Sequence, residues 1–133
     1  MKGLKAYQQV NTQTSITDAD PHKLIQLLYN GALERINMAK ARMQAKDFEG
    51  KGKLIGKAIE IIGGLRGFLD FEKGGELAAR LEGLYDYMER TLLEASAKND
   101  MAKLDEVADL LRSIKDGWDG IREEAVSKSA QVG

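Results

Sequence analysis

The sequence predicts an all-α fold: an antiparallel up-down four-helix bundle preceded by a mobile N-terminal arm. Three observations carry this. Four successive stretches place apolar residues at helical spacing. The connections between them are only a few residues long, which forces antiparallel neighbours. The 133 residues include one proline and 6% aromatic side chains, too few of either for an all-β chain of many turns.

Residues 1–19 are rich in Gln, Thr and Asn, with isolated Leu4, Tyr7, Val10 and Ile16 and no sustained period, so they read as the arm. Asp20 is placed to cap a first helix, with Pro21 at its first position, where the missing N–H is no loss. That helix is expected to run to about Ala45, burying Leu24, Ile25, Leu28, Ala32, Ile36, Ala39 and Met43. Asp47 caps a second helix to about Phe71, with Leu54, Ala58, Ile61, Ile62, Leu65, Phe68 and Leu69 on its inner face and Gly74-Gly75 as its terminator. The third, roughly Glu76 to Ala97, presents Leu77, Leu81, Leu84, Tyr85, Met88, Leu92 and Ala95, with Glu76/Arg80 and Asp86/Arg90 spaced for surface pairs. In this reading Tyr85 keeps its hydroxyl at the rim of the core and Tyr87 lies beside the buried face. The fourth starts at Asn99-Asp100 and runs through Leu104, Val107, Ala108, Leu111, Ile114, Trp118 and Ile121 to about Glu124. Helices of this kind span roughly 33 to 38 Å. The expected division is arm 1–19, bundle 20–125 and flexible tail 126–133.

Composition narrows the function. With 43% hydrophobic and 31% charged residues and no cysteine, the chain reads as one soluble domain without disulfide or thiolate chemistry. No secretory h-region or membrane-length apolar run occurs, so a cytosolic location without membrane insertion is expected. Net charge is -1, yet residues 1–69 carry 11 Lys/Arg against 6 Asp/Glu and residues 70–133 carry 9 against 15. The asymmetry fits either attraction between neighbouring helices or an acidic half that meets a basic partner. A basic face interleaved with aromatics is missing, so nucleic-acid binding has no footprint.

The chemistry sought is missing. One histidine, His22, and no cysteine cannot build a His/Cys zinc site, and Glu-x-x-His pairs of a di-iron bundle do not occur. His22 reads as a capping or solvated residue. GKGKLIGK, Gly50 to Lys57, lacks the phosphate-loop pattern and reads as a solvated basic helix start, and IGGLRG, Ile62 to Gly67, sits inside a helical pattern. No catalytic residue, metal or cofactor is assigned.

One pattern is left over. On a helical wheel Gly52, Gly56, Ile59, Gly63 and Gly67 form a stripe nearly opposite Leu54, Ile61 and Leu65. Four solvent-facing glycines sacrifice about 2 to 4 kcal/mol against alanine. The stripe is read as a shallow groove, flanked by Ile55 and Arg66, that admits another helix closely; a bent or frayed helix, or close packing inside the bundle, is the alternative. Tyr87 and Leu93 lie off their own core face.

The segments AYQQV (Ala6 to Val10), LLYNGA (Leu27 to Ala32), LDFEKGGELA (Leu69 to Ala78), LYDYM (Leu84 to Met88), LLEA (Leu92 to Ala95) and LDEVADLL (Leu104 to Leu111) together resemble the FliS family of flagellin export chaperones. The likeness runs from about Ala6 to Ile121. It implies a cytoplasmic, non-catalytic bundle that binds the C-terminal segment of flagellin, prevents its premature polymerisation and presents it to the flagellar type III export apparatus. It also implies that the segment carrying Tyr7 and Gln8 folds back over the binding surface when flagellin is absent. With the stripe, it makes Tyr7, Gln8, Ile55, Gly56, Ile59, Gly63, Arg66, Gly67, Tyr87 and Leu93 the candidate partner-binding residues. The alternative is a regulatory binder of the same architecture whose ligand is another flagellar factor, such as an anti-sigma or assembly factor.

Overall fold

A computed structural model describes the backbone of residues 21–132 and the side chains through Trp118. Its elements are α1 (Pro21–Gln44), α2 (Phe48–Gly67), α3 (Phe71–Lys98) and α4 (Met101–Val132). Each helix packs on two neighbours in the ring α1, α2, α3, α4, and α1 against α2 is the most extensive contact. Small residues explain that intimacy: Gly31, Ala32 and Ala39 of α1 and Ala58 and Gly64 of α2 are all buried. The expected Asp20 cap, arm and tail side chains lie outside the described residues.

The connections are built by side-chain caps. After Lys46 turns the chain at φ 61°, the Asp47 carboxylate accepts from the Gly50 amide at 3.0 Å. A Cβ on Gly50 would stand 2.4 Å from that carboxylate, so a larger residue there would push the Asp47 side chain out of this position. Asn99 ends α3 in the left-handed region at φ 52°, and Asp100 accepts from the amides of Ala102 and Lys103 to start α4.

The α2–α3 junction differs from the expectation. The second helix stops at Gly67 instead of reaching Phe71, and Asp70 caps α3 by accepting from Glu72 and Lys73. Gly74 and Gly75 therefore lie within α3 and do not terminate the helix before it. Gly75, at φ 48° and ψ -122°, breaks the helix after one capped turn, and α3 then resumes. The fourth helix continues to Val132, past the expected Glu124.

The core is a continuous cluster in which Leu28, Ile36, Ile62, Met88, Leu92, Leu104 and Leu111 are fully enclosed. Most of the expected inner faces are buried, with corrections at both ends. Tyr29 and Ile55 join the core, Leu54 is only half-buried, and Phe68, Leu77 and Leu84 are exposed. Phe68 and Leu77 lie together at the open end of the ring of helices.

The basic start of α2 also needs revising. Lys53 and Lys57 are exposed, but Lys51 is buried and its ammonium donates to the Ser96 carbonyl and to Asn99 Oδ1, each at 2.7 Å. A cation there satisfies carbonyls at the C-terminus of α3. Charge asymmetry along the chain is spent between helices: Lys40 pairs with Asp105, and Arg66 with Glu89 and, at 3.9 Å, Asp86. The Asp86–Arg90 pair forms within α3 at 2.9 Å.

Gly75→Ala is expected to lower the free energy of unfolding by about 1–3 kcal/mol, because a Cβ is strained at that backbone conformation. Gly83→Ala, in open space on the same helix, should instead gain about 0.5–1 kcal/mol. Urea unfolding of the two variants checks both signs.

Candidate functional site

Where the ring stays open, the apolar faces of all four helices line a cleft of about 320 Å³. Ile25 and Tyr29 come from α1, Leu65 from the end of α2, and Phe68 and Leu69 from the connection. Leu77, Leu81 and Tyr85 come from α3, and Ile114 and Trp118 from α4. The Gly75 break sets the first turn of α3 apart from the rest, and Leu77, just beyond it, is 61% exposed at the mouth.

Two polar contacts hold the walls. The Tyr29 and Tyr85 hydroxyls hydrogen-bond to each other across the diagonal of the bundle, with both residues only 2% exposed. This corrects the expectation that Tyr85 keeps its hydroxyl at the rim. His22 is also corrected: its ring stacks on Trp118 with centroids 4.3 Å apart, and the Trp118 indole N–H donates to the His22 carbonyl at 3.2 Å. The start of α1 is thereby clasped to α4.

Burial raises the pKa of both phenols above the ordinary 10.0, by desolvation first and, for Tyr29, by the neighbouring Tyr85 as well. Raised pKa values stabilise the fold below pH 10, and that contribution falls as pH climbs and the unfolded phenols ionise.

The glycine stripe forms a second feature. A Cβ at Gly52 or Gly56 would meet nothing within 4 Å, and one at Gly63 would make ordinary contact with Glu89 at 3.7 Å. The stripe therefore faces outward on a continuous helix, and packing inside the bundle does not explain it. Arg66 bonds Glu89 and Lys51 bonds Ser96, which sets the antiparallel register of α2 and α3 and puts Leu93, 60% exposed, at the level between those ties. Gly56, Ile59, Gly63, Arg66 and Leu93 thus share the outer α2–α3 seam. Gly67 lies at its upper end, one residue before Phe68 on the cleft wall.

Of the four other candidates, two stand elsewhere and two lie outside the described residues. Ile55 is 1% exposed and belongs to the core, so it does not flank the stripe. Tyr87 lies on the opposite side of α3, where its hydroxyl donates to Glu106 of α4. Tyr7 and Gln8 are outside the described residues. Sequence reasoning missed the cleft, and Tyr29 as its partner to Tyr85. Tyr29 sits four residues after Ile25 and three before Ala32, a spacing that already put it on the inner face.

Among the described residues no group of three or more His, Asp or Glu side chains could hold a metal, and no helix is long and apolar enough to cross a membrane. What this surface offers is burial of apolar area beside a few fixed polar points.

Comparison with known proteins gives this geometry a context. Residues 3–125 match the family model described as flagellar protein FliS. The chain is 54% identical over 121 residues to the flagellar secretion chaperone FliSB of Pseudomonas aeruginosa, covering 91% of this chain and 96% of that one. It is 43% identical to the flagellar secretion chaperone FliS of Salmonella typhimurium (92% of each chain) and 42% identical to that of Vibrio cholerae (93% and 92%).

From pH 9 to pH 11 the unfolding free energy of the wild-type protein, read from urea titrations, is expected to fall, by up to about 1.4 kcal/mol per buried phenol for each pH unit above 10. The Tyr29→Phe/Tyr85→Phe double variant should show a shallower fall over the same range. Parallel curves for the two proteins would remove the phenols as its cause.

Proposed function

The chain belongs to the FliS family, a family of flagellar chaperones and not of enzymes, and from that premise we propose that it is a cytoplasmic export chaperone for flagellin. On this reading it binds the C-terminal segment of newly made flagellin, keeps it from polymerising and delivers it to the flagellar type III export apparatus. The observation that carries the proposal is the open apolar cleft, beside a seam whose glycines leave room for a close helical approach.

The mechanism is stoichiometric. A flagellin terminus that is unstructured on its own folds as an amphipathic segment along the α2–α3 seam, past Gly67, and sinks its apolar residues into the cleft. The face that would pair with other flagellin molecules is then covered. Ordering the segment costs part of the energy gained by apolar burial, which keeps binding reversible. No residue here can couple release to hydrolysis, so cargo leaves by competition or handover at the export apparatus. Arg66 and Leu93 line the seam, Leu77 guards the mouth, and Tyr87 supplies a contact to a segment that wraps past α3.

The resemblance that implies a covering arm extends the proposal. Residues 1–16, with Tyr7 and Gln8, fold back over the binding surface in the absence of cargo and yield to a longer segment that buries more area.

Titration calorimetry with the C-terminal segment of the organism's own flagellin tests this. Micromolar or tighter affinity with a negative heat-capacity change is expected. Leu77→Asp should weaken binding by at least roughly tenfold without altering the melting temperature, because the side chain is exposed in the free protein. Gly56→Ala/Gly63→Ala should stabilise the bundle by about 1–2 kcal/mol and weaken binding. No heat at any temperature from folded protein would overturn the flagellin assignment in favour of another flagellar ligand.

Deleting residues 1–16 should tighten flagellin binding and raise the fluorescence of an apolar dye. Unchanged affinity together with unchanged dye binding would remove the covering role from the arm.

A further inference from the structure

The Tyr29–Tyr85 pair carries more than a structural tie. Two hydroxyls bring two protons, and a bond between them uses one. Neither residue makes another hydrogen bond among the described residues, and both are 2% exposed on the wall of the cleft. Among the described residues one O–H is therefore a buried donor with no acceptor, an arrangement that costs free energy unless something else supplies the acceptor. The remaining polar atoms of the wall are engaged or peripheral. The Trp118 indole N–H is given to the His22 carbonyl, and Asp70, exposed at the rim, accepts from two backbone amides through Oδ1. Lys73 is exposed at the rim.

We propose that this left-over hydroxyl proton is where the cleft reads its guest, by donating to a backbone carbonyl oxygen of the docked segment. The inference rests on the proposal that the cleft receives flagellin, and it adds the chemistry of one contact. A backbone carbonyl fits better than the other acceptors. A carboxylate would have to surrender its hydration to a largely apolar cavity. A side-chain amide would bring N–H groups of its own, and the one carboxylate among the residues lining the cleft, Asp70, is exposed at the rim. The last turn of a helix, by contrast, offers carbonyls without partners while its side chains remain apolar. The contact selects a segment whose helix ends or breaks at the cleft and rejects an uninterrupted one of equal hydrophobicity. Because both phenols are held neutral well above physiological pH, the donor is always present.

The test is calorimetry of the full chain with the flagellin C-terminal segment, comparing wild type, Tyr29→Phe, Tyr85→Phe, the double variant and Leu77→Asp. Removing both hydroxyls should leave the urea midpoint near wild type, since both partners of a buried bond are lost together, and should weaken binding roughly fivefold to tenfold. At least one single variant, which still carries a hydroxyl proton, should bind as wild type. Tyrosine absorption should shift to longer wavelength on binding in the wild type and not in the double variant, a readout independent of the stability of the variants. Replacing Asn and Gln of the guest with Ala should leave the double-variant penalty intact. Loss of the penalty with one such guest would overturn the backbone assignment. Wild-type affinity in the double variant, with Leu77→Asp still defective, would show a guest in the cleft that makes no such bond. If Leu77→Asp also binds normally, the cleft is not the guest site, and the inference falls with that reading.

Discussion

The hydroxyl-to-hydroxyl bond between Tyr29 and Tyr85 ties α1 to α3 across the diagonal of a ring in which the helix backbones approach closely only between neighbours. It marks a change of regime. On one side the bundle is filled by enclosed aliphatic residues such as Ile36, Ile62, Met88 and Leu92; on the other it opens into the cleft. Two bulky phenols joined by one hydrogen bond occupy one layer and hold two opposite helices at a defined spacing. A pair of leucines would impose no such spacing, because dispersion contacts tolerate sliding where a buried hydrogen bond does not.

The open end depends equally on the junction between α2 and α3. Asp70 starts α3 by capping its first amides, and Gly75 then interrupts the helix at a conformation costly to any residue with a Cβ. Together they place Phe68, Leu69 and Leu77 around the mouth instead of inside a closed core. At the same end the His22–Trp118 stack draws the start of α1 onto α4, so three walls are braced while the fourth is interrupted. Apolar surface kept exposed in this way costs little folding energy because the rest of the core is continuous, and it is the surface on which a partner gains most by burial.

Electrostatics arrange this scaffold more than they stabilise it. Lys40–Asp105 and Arg66–Glu89 join the basic half of the chain to the acidic half between adjacent helices, and half-exposed pairs of this kind contribute little individually. Their value lies in register: Arg66–Glu89 and Lys51 with Ser96 align α2 against α3, and that alignment brings Leu93 beside the glycine stripe. A surface assembled from packing, register and one spare donor suits the holding of a protein segment and supplies nothing to a reaction.

What the sequence by itself determined is local. The 3.6-residue period set four helices and most of their inner faces, the Asp47 and Asn99-Asp100 signals located two of the junctions, and the segments that resemble the FliS family pointed to the family. The glycine stripe was legible as an outward pattern because it needs only one helix to be seen. What tertiary structure alone decided involves residues distant in the chain. A wheel treats every turn of a helix alike, so it put Phe68, Leu77 and Leu84 in the core and left Ile55 and Tyr29 out of it. Whether an inward-facing residue is covered depends on where the neighbouring helices end and how the ring rotates each one. The Tyr29–Tyr85 bond, the His22–Trp118 stack and the burial of Lys51 join residues 56, 96 and 45 to 48 positions apart, separations at which no local periodicity carries information. The cleft exists only because those contacts fix four helix ends at once.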